Sequence, residues 1–174
     1  MTYRPAISLI QGLLAFAGVC DAGFVYVEKT RLGDVPCING SHDCTTVTMG
    51  PYGSLGPGYA LGPLHFTGPV LDLSLVGLAA YLVFLFLAIV KGTSDGASLI
   101  TLVRRVFLAL SLFGFCYSWY LQWLAHFVIK AFCVYCFTSA GIMTLLFLLA
   151  AHELRLSLRP AQAAEPVQNI DPSI

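Results

Sequence analysis

The stretch VFLALSLFGFCYSWYLQWLAHFVIKAFCVYCFTSAGIMTLLFLLAAH, residues 106–152, contains only one Asp, Glu, Lys or Arg, which is Lys130. A helix needs about 20 apolar residues to cross a bilayer, and an ionised side chain in the hydrocarbon costs several kcal/mol. Lys130 therefore divides the stretch into two predicted membrane spans, 106–129 and 131–152, with a tight connection between them.

Two further spans are predicted N-terminal to this pair. Residues 73–90 carry no charge, and residues 5–27 carry only Asp21. Of the 174 residues, 57% are apolar and 10% are charged, whereas about 25% are charged in a soluble domain. The composition predicts an all-α membrane protein, and the net charge of zero excludes nucleic-acid binding as a main function.

Residues 44–71 are also free of charge, but glycine and proline recur throughout them. Such a backbone would leave polar groups unpaired in lipid, so this run predicts a loop and not a span. We therefore expect residues 1–156 to form one four-helix membrane bundle, with an outer loop at about 28–68 and a short inner loop at 91–104. Residues 157–174, rich in Ala, Pro and Gln, are expected to form a disordered cytoplasmic tail.

Basic residues indicate the orientation, because cytoplasmic loops carry an excess of Lys and Arg. With both termini in the cytoplasm, the inner residues are Arg4, Lys91, Arg104, Arg105, Arg155 and Arg159, and the outer ones are Lys29, Arg31 and Lys130. This majority predicts that the long loop faces outward, which is the outer face of a bacterial inner membrane or the lumenal face of a eukaryotic secretory membrane; we expect the bacterial inner membrane.

The six cysteines are the candidates for chemistry. Cys20 and Cys116 fall inside predicted spans, where a free cysteine usually acts as a small apolar side chain. The other four share the predicted outer side, and they are Cys37 and Cys44 in the long loop, and Cys133 and Cys136 at the start of the last span. An oxidising compartment converts such pairs to disulfides, and two pairs on one side allow exchange between them.

The motif CVYC at 133–136 is expected in the first turn of a helix that begins near Phe132. Residues three apart share a helix face, and the positive helix N-terminus together with Lys130 stabilises a thiolate there. Two structural disulfides fit the same spacing. A zinc site fits less well, because Cys37 and Cys44 are too far apart for the usual zinc knuckle.

Further motifs accompany the cysteines. They are DAGFVY at 21–26, the loop pair Cys37 and Cys44, Gly77 with Tyr81, and WYLQ at 119–122 leading into CVYC at 133–136. Over about residues 7–152 this series resembles the vitamin K epoxide reductase family, in particular its bacterial members that oxidise disulfide-forming proteins. The loop pair precedes the Cys-x-x-Cys motif, which is the reverse of the order in the DsbB-type quinone oxidase.

The resemblance implies a quinone-linked thiol oxidase that supports disulfide bond formation. Cys37 would take electrons from a separate thioredoxin-fold, DsbA-like protein, because no fused thioredoxin-like domain is expected after the last span. Cys44 would exchange with Cys133. Cys136 would then face the membrane quinone, which is ubiquinone or menaquinone.

The resemblance also indicates positions for quinone binding. The polar residue expected in span two falls near Asp72 or Leu73, and the tyrosine expected after the dithiol falls at Ala140. Tyr135 is a further candidate for the lining of the quinone pocket. Leu73 and Ala140 carry no hydrogen-bonding side chain, so these positions do not identify the groups that would hold a quinone carbonyl.

Two other functions fit the same residues. A DsbB-type oxidase would perform the same reaction by convergence, and a non-catalytic membrane scaffold would use its disulfides only to pin the outer loop. No metal is expected in any of these cases. Asp21 is either a functional acid or a partner of nearby backbone, and His126 is either an interfacial residue or a proton donor.

Overall fold

The computed structural model describes residues 3–37, 42–50, 52–55, 71–94 and 96–163. Its secondary structure consists of the helices and strands α1 (Tyr3–Arg31), α2 (Asp43–Met49), β1 (Ser54–Leu55), β2 (Leu71–Asp72), α3 (Leu73–Thr93), α4 (Ala97–Leu124), a π-helical turn (Ala125–Ile129) and α5 (Val134–Ala163). In this part of the chain, four segments are long and apolar enough to cross a membrane: Ala6–Arg31, Leu73–Thr93, Ala97–Ile129 and Val134–Ser157. The prediction of an all-α membrane bundle is confirmed.

Small residues let α1 and α3 approach closely. Gly18 faces the Tyr81 ring, and a Cβ at Gly18 would overlap with ring atoms. Ser8 Oγ donates a hydrogen bond of 2.8 Å to the Ala88 carbonyl of α3. Because lipid supplies no hydrophobic force between membrane helices, such close packing and interhelical hydrogen bonds hold the pair together.

The bundle core joins all four long helices. Phe84 of α3 meets Phe107 of α4 edge to face, with ring centroids 5.1 Å apart. Leu146 of α5 is fully buried in the same cluster, next to Ala15 of α1. Large apolar side chains also cover the outside of the bundle, as expected for helices that contact lipid.

The end of the bundle opposite the cysteines contains a buried ionic cluster. Lys91 Nζ of α3 lies 2.7 Å from Glu153 Oε2 of α5, and Arg104 Nε of α4 lies 2.9 Å from Glu153 Oε1. Lys91 also donates to Gln11 Oε1 of α1. This cluster, Gln11, Lys91, Arg104 and Glu153, connects the four long helices.

The predicted inner loop at 91–104 is wrong. Helix α3 continues to Thr93 and α4 begins at Ala97, so Lys91 and Arg104 both lie within helices. Their charges are tolerated there because both pair with Glu153 inside the bundle instead of facing lipid alone.

The predicted outer loop contains regular structure. Helix α2 lies within it, and β1 pairs antiparallel with β2, with Ser54 opposite Asp72. The remainder of that prediction, including 56–70, lies outside the described residues. At the other end of the chain α5 remains helical to Ala163, beyond the predicted start of the tail at Ser157, because leucine, alanine, arginine and glutamine all favour helix. The prediction for residues 164–174 falls outside the described residues.

Candidate functional site

The loop cysteines lie against the bundle as a disulfide. Cys37 and Cys44 are bonded, with their Cα atoms 5.5 Å apart. Thr45 Oγ1, at the start of α2, accepts the Val35 N–H at 3.0 Å, which holds the segment before Cys37 against the helix that carries Cys44. We call the end of the bundle that carries these residues the cysteine end.

The disulfide is packed against the second cysteine pair. Cys37, Cys44 and Cys133 belong to one buried cluster with Val25 and Val35, and Cys136 packs against it. Cys44 and Cys133 have no exposed surface, and Cys37 is 7% exposed. The structure therefore brings together all four cysteines that the sequence analysis selected.

Cys133 lies directly before α5 and caps it. Its carbonyl accepts the Phe137 N–H at 3.0 Å, and its Sγ accepts the Cys136 N–H at 3.3 Å. The helix was predicted to begin near Phe132, whereas it begins at Val134. Cys133 thus occupies the N-cap position, and Cys136 lies in the first turn.

The N-cap position favours a thiolate at Cys133. A hydrogen bond with the Cys136 side chain lowers the pKa of Cys133, burial opposes this, and the backbone N–H groups of Cys136 and Tyr135 lower the pKa further, so the net shift is downward. Unpaired N–H groups at a helix N-terminus stabilise negative charge in this way. The thiolate-stabilising contacts therefore converge on Cys133, at the edge of the membrane-spanning segment.

The connection between α4 and α5, just before Cys133, has an unusual backbone conformation. The π-helical turn ends at Ile129 and is followed by Lys130, which adopts the left-handed conformation with φ 58°. The Ala131 N–H then bonds to the Ala125 carbonyl at 3.2 Å. A non-glycine residue in this region costs about 1–3 kcal/mol and persists only where its surroundings hold it.

A cavity of about 580 Å³ lies beside Cys136, between α1, α3, α4 and α5. Its walls are mostly apolar. Val83 of α3 and Phe113 of α4 line it and are 47% and 70% exposed. The cavity is therefore accessible on the side of these two helices, which face lipid in a bilayer.

Only some of the residues predicted to contact a quinone line the cavity. Leu73 and Tyr135 line it, whereas Asp72 and Ala140 are not among its lining residues. The Tyr135 hydroxyl donates to the Pro36 carbonyl at 3.0 Å, so it ties the segment before Cys37 to α5.

Asp72 has a different role, as the N-cap of α3. Its Oδ1 accepts the Ser74 N–H at 2.9 Å, and its Oδ2 lies 2.9 Å from Lys29 Nζ. Burial raises the pKa of Asp72, but the hydrogen bonds from Ser74 and Lys29 outweigh it and lower the pKa overall. Lys29 also donates to the Thr48 carbonyl at 2.8 Å, so it fastens α2, whose Val47 and Thr48 line the cavity, to α1.

Polar side chains that the sequence analysis did not assign to quinone binding also line the cavity. They include Asp21, Tyr81, Tyr117, Ser118, Gln122 and Ser139. The Tyr81 hydroxyl lies 2.7 Å from Ser139 Oγ, so this pair is satisfied within the protein. A tyrosine or a glutamine within a charge-free span is a signal for a functional polar group, but the sequence does not show which surface it faces.

The fold and the site define a class of protein, an integral membrane bundle in which a disulfide and a dithiol pack together at one end. The model of the Vitamin K epoxide reductase family matches residues 9–151, so the chain belongs to that family. It is therefore a membrane oxidoreductase of the thiol–disulfide type. No curated protein matches the chain.

Proposed function

We propose that this protein oxidises a thioredoxin-fold, DsbA-like partner and passes the electrons through its two cysteine pairs to a membrane quinone. The observation that carries the proposal is the position of the Cys133 and Cys136 dithiol between the loop disulfide and the cavity. Cys133 packs in the same buried cluster as the loop disulfide, and Cys136 lines a cavity that opens toward lipid. A soluble donor and a lipid-soluble acceptor can thus use opposite ends of one relay.

The first exchange moves electrons from the partner to the loop pair. The partner's dithiol reduces the Cys37–Cys44 disulfide, and the partner leaves with a disulfide in place of two thiols. Cys37 is the more exposed of the two, which supports its role as the entry point. Because it is only 7% exposed, the loop must move outward before the partner can reach it.

The second exchange moves electrons between the pairs. The Cys44 thiolate attacks Cys133 of an oxidised Cys133–Cys136 pair, and Cys136 leaves with the bonding electrons. Cys37 then attacks Cys44, which restores the loop disulfide and releases Cys133. The lowered pKa of Cys133 makes it a good leaving group in this step. A loop disulfide beside two free thiols, as in the structure, is the product of this exchange.

The third exchange occurs at the cavity. Its volume lies within the range of about 300–1,000 Å³ typical of small-molecule sites, and its apolar walls fit a quinone ring with its methyl groups. Cys136 delivers two electrons to that acceptor, the pair becomes a disulfide again, and two protons accompany the electrons to give a quinol.

We place the cysteine end on the outer face of a bacterial inner membrane and both chain ends on the cytoplasmic side. Four spans return the chain to the side on which it starts. Lys91, Arg104, Arg105 and Arg155 lie at the opposite end, which fits the excess of basic residues on cytoplasmic surfaces.

The experiment uses the purified protein in detergent with a reduced thioredoxin-fold protein and either a ubiquinone or a menaquinone analogue. Quinone absorbance should fall as the partner's thiols disappear. Cys136→Ser should abolish turnover, while Cys116→Ser, the same change at an exposed cysteine outside the site, should leave it intact. If Cys136→Ser turns over as fast as Cys116→Ser, the relay is refuted.

Two alternatives have distinct outcomes in the same system. A membrane scaffold predicts that Cys37→Ala and Cys44→Ala lower stability while partner oxidation stays unaffected. A DsbB-type order of exchange predicts no mixed disulfide between Cys44 and Cys133. We expect that mixed disulfide to accumulate when Cys37 is replaced by serine, because its resolving thiol is then missing.

A further inference from the structure

Two polar groups in the cavity wall have no partner within the protein. In the described part of the chain, three buried side-chain polar atoms lack a hydrogen-bond partner: Gln11 Nε2, Tyr117 Oη and Gln122 Nε2. Gln11 belongs to the ionic cluster at the opposite end. Tyr117 and Gln122 both line the cavity beside Cys136, and a side-chain rotation must turn their covered polar atoms toward a ligand there.

Buried polar groups are almost always hydrogen-bonded, because an unpaired donor in a low-dielectric interior costs about 1–3 kcal/mol. Two such groups in one cavity wall therefore indicate a ligand that supplies acceptors. A phenol hydroxyl and a carboxamide N–H both donate, so the matching ligand atoms are oxygens with free lone pairs.

The two donors flank the face of α4 that borders the cavity, since positions five apart lie about 140° apart around a helix. The residues of α4 that line the cavity recur at helical spacing, and the set includes Leu110, Gly114, Tyr117, Leu121 and Gln122. The two donors are five positions apart, which places their Cα atoms roughly 7.5 Å apart along the helix axis. They can therefore reach different atoms of one small ligand.

Aromatic packing holds the Tyr117 ring in place. Phe113 stacks on it with centroids 6.0 Å apart and an interplanar angle of 4°. Phe113 also lines the cavity and is 70% exposed. The exposed Phe113 ring and the first donor thus share one flat aromatic wall, which suits a planar ring.

We infer that Tyr117 and Gln122 bind the carbonyl oxygens of a para-quinone and hold its ring against Cys136. The inference rests on the proposed function. It assigns the hydrogen-bonding role to α4, whereas Leu73 and Ala140, at the positions that the family resemblance indicated, have apolar side chains. A donor on a carbonyl oxygen withdraws charge from the ring and stabilises the negative charge that develops as electrons arrive.

The test is a binding measurement that needs no turnover. The full chain carrying Cys136→Ser is titrated in detergent micelles with a short-chain ubiquinone and, separately, with menadione. In that background Tyr117→Phe and Gln122→Leu should each weaken binding of the accepted quinone about tenfold, which corresponds to about 1.4 kcal/mol. The matched control is Tyr120→Phe, the same change at an exposed tyrosine of α4 that does not line the cavity.

Thermal unfolding of the ligand-free variants supplies the second readout. The two donors have no partner within the protein, so removing either should not lower the melting temperature relative to Tyr120→Phe. A lower melting temperature would instead indicate a structural role and overturn the inference.

The outcomes separate the inference from the function on which it rests. If the parent protein binds neither quinone, the proposed function fails. If it binds a quinone and either donor variant binds as tightly as Tyr120→Phe, the two-point attachment is overturned while the quinone function stands.

Discussion

Removing the carboxylate of the ionic cluster should be among the most destabilising single changes in the bundle. Glu153 is the only acid that contacts the buried Lys91 and Arg104 among the described residues. The three side chains are 9%, 3% and 13% exposed, respectively, so solvent screens them little. Glu153→Gln leaves two buried cations without a counter-charge, and breaking such a buried pair costs about 3–5 kcal/mol.

The assay is unfolding of the purified protein in mixed micelles of a mild detergent and dodecyl sulfate, followed by tryptophan fluorescence. A loss of that size corresponds to a fall of about 6–20 °C in melting temperature at about 2–4 °C per kcal/mol. Arg105→Gln changes an exposed charge one residue from Arg104 and serves as the control. A loss for Glu153→Gln no larger than for Arg105→Gln would refute the reasoning. Adding Lys91→Met should recover part of the loss, because one uncompensated charge is removed.

Three further perturbations probe the cysteine end. Gly18→Ala should lower stability and turnover together, because its new methyl group meets the Tyr81 ring, whereas Gly141→Ala faces open space and should be tolerated; equal melting temperatures would contradict this. The pH midpoint for Cys133 thiolate formation, read from thiolate absorbance, should lie below the ordinary value of about 8.5, since the pKa of Cys133 is lowered. A midpoint above about 8.5 would contradict the argument that the N-cap position stabilises the thiolate. Lys29→Met should increase proteolysis within α2, because its bond to that helix is lost; an unchanged cleavage rate would show that the bond does not hold the helix.

The fold could be predicted because charge is so costly in lipid. Lys130 alone was enough to separate the last two spans, and the structure turns the chain at that residue. The same rule misplaced the other connection. It treats every charge as a boundary, and Lys91 with Glu153 is an exception because the two neutralise each other inside the bundle.

The candidate site could be predicted only in part. Functional cysteines can be recognised in a sequence because they occur in pairs. The four on the predicted outer side pack together in the structure. Tyr117 and Gln122 gave no comparable signal, because the sequence does not show whether a single polar side chain in a span faces lipid, a helix or a cavity. Asp72 lay near an indicated position, but Lys29 and Ser74 engage it.

The aromatic contact between α3 and α4 separates the two polar regions of the bundle. Phe84 lines the cavity, Phe107 packs against it, and Lys91 Nζ lies 4.9 Å from the centroid of the Phe107 ring on the way to Glu153. Phenylalanine rings carry no exchangeable proton, so this layer separates the cavity from the ionic cluster at the opposite end. In the proposed reaction, hydrogen ions consumed in making a quinol would then be drawn from the same side that receives those released by the partner's thiols, and each catalytic cycle would leave the transmembrane voltage unchanged.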